Sequence, residues 1–136
     1  MKVLQSLGKA KGQTEATFRY RRSSDGVTID ASINANYNQM PKQITLSNAE
    51  WNAILTAIQN AQNATFRITN TGAAGDQPTQ SLNPLFSSTV TPTGWTWNDS
   101  WVAYVAAILE HEGSLDLYHG ALGQGQSAVI DLSRDI

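Results

Sequence analysis

The sequence predicts an α+β fold, in which a mostly antiparallel sheet carries two amphipathic helices on one of its faces. Three observations support this class. Polar and apolar residues alternate strictly between residues 27 and 37, as in a half-buried strand. Two later segments carry apolar residues at helical spacing, each with a start signal. Helices and strands do not alternate regularly, which favours an antiparallel sheet. We expect one domain over residues 1–136, in the order β-β-α-β, long loop, α-β-β.

The first predicted element is a β-hairpin over residues 14–37. Phe18 and Tyr20 lie two residues apart and therefore share one face of the first strand. The turn SSDG follows, and its last residue, Gly26, readily adopts the positive φ that tight turns require. The second strand is predicted to run through the whole alternating stretch VTIDASINANY.

The next element is a helix in the stretch LSNAEWNAILTAIQNA, residues 46–61. Ser47 is the predicted N-cap, and Glu50, three residues later, completes a capping box. Leu46 and Trp51 flank the cap at the positions of a hydrophobic staple. Trp51 also begins an apolar stripe at the helical spacing i, i+3, i+4 and i+7. A short strand, ATFRITNT, is predicted directly after this helix.

Residues 72–94 show no periodic pattern and contain three prolines. Structureless segments of this length are uncommon in compact domains. This one also contains large apolar residues, among them Leu82 and Phe86. We therefore expect a long irregular loop or arm that lies across the domain or reaches onto another subunit.

A second helix is predicted in NDSWVAYVAAILEHEG, residues 98–113. Asn98 is the expected N-cap, Asp99 favours the positive end of the helix dipole, and Gly113 is a suitable stop. Two strands, LDLYHG and AVIDLS, follow and are joined by the turn ALGQGQS. The glycines of this turn do not match a dinucleotide or phosphate-loop motif, and a strand rather than a helix follows them.

Three of the four tryptophans lie in the nine-residue stretch TGWTWNDSW, which begins at Thr93. Trp101 falls on the apolar stripe of the second helix and is predicted to be core. Trp97 precedes the N-cap, where apolar residues clamp the entering chain. Trp95 has no local structural role, so either core packing or contact with a partner or ligand remains open.

The candidate binding surface is the polar face of the predicted sheet. Its arginines are interleaved with hydroxyl and amide side chains, and guanidinium groups suit phosphate or carboxylate recognition. The alternative is an ordinary solvated sheet face. The candidate ligand-binding residues are Arg19, Arg21, Arg67, Asn34, Tyr20, Phe86 and Trp95.

Catalytic and metal sites are not predicted. His111 and His119 lie near several carboxylates, but their spacing matches no zinc motif. No serine lies in a nucleophile elbow. The chain has no cysteine, which excludes disulfides, thiolate metal ligands and a cysteine nucleophile. No cofactor is implied.

Composition and charge narrow the classes of function that remain possible. The net charge is −2, yet residues 1–42 are net positive and the rest net negative. An acidic chain without a helix-turn-helix or basic helix makes extensive DNA binding improbable. The first residues lack the apolar run of a signal peptide, and no stretch is long and apolar enough to span a membrane, so we expect a cytoplasmic protein.

Three hypotheses of function follow. The first is a non-enzymatic binding protein, expected to be a homo-oligomer, that holds or sequesters a small anionic, nucleotide-like ligand. The second is a structural protein, such as a phage-type assembly subunit, or a protein inhibitor, with the 72–94 segment as an interface arm. The third is a hydrolase that uses the histidines and nearby carboxylates. The sequence favours the first.

Overall fold

The computed structural model describes residues 1–6, 17–34, 37–62, 64–67, 80–117 and 131–134 of the chain. Its strands are β1 Lys2–Gln5, β2 Thr17–Ser23, β3 Gly26–Asp30, β4 Gln43–Leu46, β5 Thr65–Arg67, β6 Gln80–Ser81, β7 Leu115–Leu117 and β8 Asp131–Arg134. Its helices are α1 Asn48–Gln59, α2 Leu82–Thr89 and α3 Asp99–His111. The combination of helices with largely antiparallel strands confirms the predicted α+β class.

The described strands form two sheets rather than the single sheet predicted. The first has the order β1-β2-β3-β4, and every neighbouring pair is antiparallel. The second has the order β6-β5-β8-β7, in which β5 pairs with β6 in parallel and with β8 antiparallel. The prediction missed β1 and β4 because each has only four residues, too few for alternation to be distinctive.

The β2–β3 hairpin turns where the sequence predicted. Ser23 pairs with Gly26, so that two residues form the turn, and Gly26 has a φ of 132°. A Cβ at this position would lie 2.1 Å from the carbonyl oxygen of Leu46 on β4. Glycine is therefore required both by the backbone angle and by the close approach of the neighbouring strand.

The second strand of the hairpin is shorter than predicted and ends at Asp30. The Asp30 carboxylate accepts a hydrogen bond from the backbone N–H of Ser32, at 2.9 Å, and the N–H of Asn34 donates to the carbonyl of Ala31. An aspartate side chain that bonds the backbone two residues on favours a turn over a continued strand. The prediction that the strand extends to residue 37 was therefore wrong.

Helix α1 begins as its sequence predicted. Ser47 accepts a hydrogen bond from the backbone N–H of Glu50, and the Glu50 carboxylate accepts one from the N–H of Ser47. The predicted apolar stripe faces inward, with Trp51, Ile54 and Ile58 buried. The helix contacts β3 and β4, which places this stripe against the first sheet.

Helix α2 lies inside the segment predicted to be irregular, and this corrects the description of residues 72–94. Pro84 does not prevent this helix, because it is the third residue of α2, where backbone N–H groups have no helical acceptor. Leu82 and Phe86, one helical turn apart, are both fully buried. Residues 72–79 lie outside the described part of the chain.

Helix α3 is the central element of the core. Every residue from Trp101 to Leu109 is buried, so the helix is covered on all sides rather than amphipathic as predicted. It contacts β1 of the first sheet, β7 of the second sheet and helix α2. Among the residues that the structure describes, no helix has the length and hydrophobicity to cross a membrane.

Candidate functional site

The two arginines predicted on the polar face of β2 have different surroundings. The Arg19 guanidinium forms an ion pair with Asp30 and also donates to the hydroxyl of Ser32. Burial raises the pKa of the Asp30 carboxyl, but hydrogen bonds from Ser32 and Arg19 outweigh it and hold the pKa below its usual value. Arg19 is therefore bound within the chain, whereas Arg21 is exposed.

Arg67 and Asn34, which were predicted on the same polar face, do not lie beside these two arginines. Arg67 lies on β5 of the second sheet, so it shares no sheet with Arg19 and Arg21. The structure does not describe the position of its side chain. Asn34 lies beyond the end of β3, where its amide nitrogen donates to the hydroxyl of Tyr104. The prediction of one sheet face that carries all three arginines was therefore wrong, because it assigned the strands to one sheet and they form two.

The aromatic residues predicted to stack on a ligand are largely in the core. Phe86 is fully buried, with its ring centroid 5.5 Å from that of Trp97. Tyr20 is 4% exposed, and its ring lies edge-on to that of His111. The structure thus corrects the assignment of Phe86 to a ligand-contacting surface, since core packing accounts for its position.

The tryptophan-rich stretch builds one corner of the core. Trp101 is buried, as predicted, and Trp97 is partly buried and donates its indole N–H to the carbonyl of Val90 at 3.1 Å. Trp95 is partly buried against both, with ring-centroid distances of 4.8 Å to Trp97 and 6.3 Å to Trp101. All three therefore have a packing role, and Trp95 retains some exposed surface.

A pocket opens beside the C-terminus of α3 and the first two strands. Its volume is about 540 Å³. The residues that line it, here called the cationic pocket, are Met1, Lys2, Tyr20, Arg21, Arg22 and Glu112. The register that pairs Lys2 with Tyr20 brings the β1 and β2 residues together.

The ending of α3 positions the acidic member of the cationic pocket. Gly113 has a φ of 88°, and the N–H of Ser114 donates to the carbonyl of Leu109. This is the six-to-one hydrogen bond of a Schellman ending. Glu112 is the C-cap of the helix and lies opposite β2.

Arg22 holds Glu112 through two parallel hydrogen bonds. Its Nε donates to Oε2 and a terminal nitrogen donates to Oε1, each at 2.7 Å. The guanidinium carbon also lies 5.3 Å from the ring centroid of Trp51, within cation–π range. The hydrogen bond with Glu112 raises the pKa of Arg22 above its already high value, so Arg22 stays charged.

Tyr20 contributes a neutral hydroxyl to the cationic pocket. Its Oη donates to Glu112 over 3.4 Å, a long hydrogen bond. Burial, and then the nearby negative charge of Glu112, raises the pKa of the phenol. The hydroxyl therefore remains protonated at neutral pH, and its one proton is directed at Glu112.

The cationic pocket has an excess of positive charge. Arg22 and Glu112 neutralise each other, but within the described part of the chain neither Lys2 nor Arg21 forms an ion pair. Three cationic residues, Lys2, Arg21 and Arg22, thus line a recess that contains one carboxylate. Such a field attracts anions, and its guanidinium groups match the geometry of phosphate and carboxylate oxygens.

Sequence reasoning found only part of this pocket. It named Tyr20 and Arg21 but missed Lys2, Arg22 and Glu112. Strand alternation places Arg22 on the core side of β2, beside Tyr20, and the repeated arginine after Tyr20 was the available signal. Glu112 had no local signal, because it meets Arg22 across 90 residues of sequence.

Among the residues considered for hydrolysis, those that the structure describes form no recognisable catalytic centre. His111 is exposed, and its ring centroid lies 6.2 Å from that of Tyr20. Across the described ranges, no group of three or more histidine, aspartate or glutamate side chains is placed to hold a metal ion. His119 lies outside these ranges.

Comparisons of the chain with protein family models, curated proteins and solved structures give no match.

Proposed function

We propose that this protein binds a small anionic ligand in the cationic pocket and does not transform it. The observation that carries the proposal is the pairing within this pocket: Glu112 neutralises Arg22, while Lys2 and Arg21 form no ion pair with any other residue that the structure describes. The chain as a whole is acidic, with a net charge of −2. A local excess of cations on an acidic protein supports a specific rather than a general attraction for anions.

The dimensions and chemistry of the cationic pocket support a small ligand. Its volume of about 540 Å³ falls within the range of roughly 300–1,000 Å³ typical of small-molecule sites. Its lining is rich in hydrogen-bond donors, from Lys2, Arg21, Arg22 and the Tyr20 hydroxyl. These donors favour a phosphate or carboxylate group over a neutral ligand.

The proposal concerns the anionic group of the ligand rather than a nucleobase. Phe86 and Tyr20, two of the three aromatics expected to stack on a base, are buried. Trp95 packs in the tryptophan corner and does not line the cationic pocket. A nucleotide remains a suitable ligand only through its phosphates.

A binding role accounts for the polar groups better than catalysis does. Both oxygens of Glu112 accept hydrogen bonds from Arg22, so neither oxygen is free to take a proton from a substrate. The phenol of Tyr20 has a raised pKa and is therefore a poor proton donor to a leaving group at neutral pH. A carrier, sensor or sequestering protein requires neither proton transfer.

The direct test is calorimetric titration with inorganic phosphate at low ionic strength. Arg21→Gln removes the charge of a residue that lines the pocket, and loss of one charge-assisted contact should weaken binding about tenfold. Arg19→Gln is the matched control, because it removes the same charge two residues away on the same strand but from a guanidinium already held by Asp30. We expect the control to change the dissociation constant by less than about twofold.

Two outcomes would count against the proposal. The first is that the unaltered protein binds neither phosphate nor a small carboxylate under these conditions. The second is that Arg19→Gln weakens binding as much as Arg21→Gln, since that would indicate a diffuse effect of net charge rather than a pocket.

A homo-oligomer remains part of the proposal. The assembly alternative is weakened for the described part of its arm, from residue 80 onward, because Leu82 and Phe86 pack in the core of their own chain. Native mass spectrometry of the purified protein reports the subunit number and any retained small anion together. A monomer in this experiment would remove oligomerisation from the proposal without affecting the pocket.

A further inference from the structure

The carboxylate of Glu112 occupies the position in the cationic pocket where an anionic ligand would meet Arg22. Its two oxygens accept two parallel hydrogen bonds of 2.7 Å from one guanidinium. This two-oxygen geometry is the one with which arginine recognises a ligand carboxylate or phosphate. Glu112 therefore stands in place of the head group of the ligand.

Glu112 is placed so that it can leave Arg22. Its side chain is 21% exposed and that of Arg22 is 46% exposed, so water has access to both partners. Glu112 is also the C-cap of α3, beyond the last helical residue, and its side chain can rotate without breaking the helix. Because both partners are partly exposed, water and dissolved anions compete for this ion pair.

The charge balance of the pocket indicates what replaces Glu112. Release of its carboxylate leaves Lys2 and Arg22 without a neutralising partner among the lining residues, and Arg21 also lines the recess. A singly charged ligand would only substitute for the carboxylate that leaves. A doubly charged ligand also interacts with Lys2 and Arg21 and therefore gains attraction that Glu112 alone does not provide.

Building on the proposed anion binding, we infer that the ligand is a doubly charged oxyanion that displaces Glu112 from Arg22. Two of its oxygens take the two hydrogen bonds from Arg22, and its second charge faces Lys2 and Arg21. Glu112 then acts as an internal competitor that keeps the pocket closed to weakly charged anions.

The test measures phosphate affinity by calorimetry at pH 7.5, where inorganic phosphate is largely a dianion, in Glu112→Gln and Glu110→Gln. Glu110 is the matched control, because it carries the same charge on the same end of α3 but does not line the pocket. We expect Glu112→Gln to tighten binding about tenfold and Glu110→Gln to tighten it less than twofold. The same substitution is then made in an Arg22→Gln background, where the gain from Glu112→Gln should largely disappear.

A gain from Glu112→Gln that persists in the Arg22→Gln background would overturn displacement, because it would show an effect of the electric field alone. Equal gains in Glu112→Gln and Glu110→Gln would overturn it as well. If the unaltered protein binds phosphate and Glu112→Gln binds it more weakly, the displacement is wrong and the proposed anion binding stands. If no variant binds phosphate or a dicarboxylate, the proposed function itself fails.

A second measurement does not depend on the stability of the variants. In the unaltered protein, the NMR signal of the Arg22 Nε–H group reports the acceptor of its hydrogen bond. Addition of phosphate to saturation should move this signal, whereas acetate at equal ionic strength should move it much less. An Arg22 signal unchanged at saturating phosphate would contradict displacement.

Discussion

Arg19 and Arg22 lie three residues apart on β2, and each pairs with a carboxylate, but the two pairs differ in what they hold together. Asp30, the partner of Arg19, lies on the adjacent strand and has a side chain only 8% exposed. Glu112, the partner of Arg22, comes from the end of a distant helix and is more exposed. The first pair holds a turn, and the second lies in the cationic pocket, where we propose that a ligand replaces Glu112.

The Arg19–Asp30 pair predicts a specific loss of stability in acid. The folded protein holds the pKa of Asp30 below its unfolded value of about 4. The resulting stabilisation is complete above that pH and is lost as pH falls through the folded pKa. Asp30→Asn removes this dependence, so the difference in urea midpoint between the two proteins should shrink from pH 6 to pH 2.5.

The outcome that would contradict this assignment is a constant difference in urea midpoint over the whole acid range. Such a result would indicate that Asp30 contributes by packing or turn geometry and not as an ionised group.

Gly26 is the position at which a single added methyl group should be most damaging. Alanine there requires a φ of 132° and places its Cβ 2.1 Å from the Leu46 carbonyl oxygen. We expect Gly26→Ala to lower the free energy of unfolding by about 3 kcal/mol or more. Gly94→Ala is the control, because Gly94 also has a positive φ but no atom within 4 Å of the added Cβ. Its cost should be about 1 kcal/mol, measured by urea denaturation.

Equal costs at Gly26 and Gly94 would show that backbone angle alone matters and that β4 does not approach the turn as closely as described.

At the level of elements, the N-cap of α3 links a helix to a distant loop. Asn98 Oδ1 accepts a hydrogen bond from the N–H of Trp101, while Nδ2 donates to Tyr37 and to Gln39. Asn98→Asp keeps the acceptor and loses the donor, whereas Asn98→Ala loses both. We expect alanine to lower the free energy of unfolding by about 1–2 kcal/mol and aspartate by less.

If the aspartate and alanine variants prove equally unstable by thermal and urea denaturation, the hydrogen bonds to Tyr37 and Gln39 carry the stabilisation and the helix cap does not.

Helix α2 provides a test of the corrected 82–89 segment. Phe86 is fully buried against Trp97, so Phe86→Ala should lower the free energy of unfolding by about 3–5 kcal/mol. Ser88 lies on the exposed face of the same helix. Ser88→Ala should therefore change the free energy of unfolding by no more than about 0.5 kcal/mol. The effect of Phe86→Ala should not depend on protein concentration.

A loss of stability for Phe86→Ala that appears only at concentrations where the protein self-associates would restore the interpretation of this segment as an arm.

Local sequence signals predicted the local elements well. The turn at Gly26, the capping box of α1 and the N-cap of α3 all follow from residue chemistry within a few positions. Two predictions, the length of β3 and the irregular segment that contains α2, were wrong for local reasons that the hydrophobic pattern does not show. The Asp30 side chain ends its strand early, and Pro84 is compatible with the first turn of α2.

The whole molecule depends on contacts that local patterns do not encode. The division into two sheets is set by which strands pair, and a parallel contact between β5 and β6 has no signature in such short strands. For this reason the sequence did not show that Arg67 and Arg19 lie in different sheets. The same limit applies to the pocket, since Arg22 and Glu112 meet only when α3 packs against the first sheet.

The charge distribution of the chain has a structural counterpart at this scale. The net positive N-terminal third supplies Lys2, Arg21 and Arg22, and the acidic remainder supplies Glu112. Three of the seven lysines and arginines in residues 1–42 therefore line one recess. This arrangement supports attraction of an anion to one place on an otherwise acidic surface.

The central claim is that a small anion binds in the cationic pocket, and amide chemical-shift mapping by NMR tests it most directly. Inorganic phosphate is titrated into ¹⁵N-labelled protein at constant ionic strength. We expect saturable shifts centred on Lys2, on Arg21 and Arg22, and on Glu112 and Gly113. Shifts absent from these positions, or centred instead on the Arg19–Asp30 pair, would contradict the account.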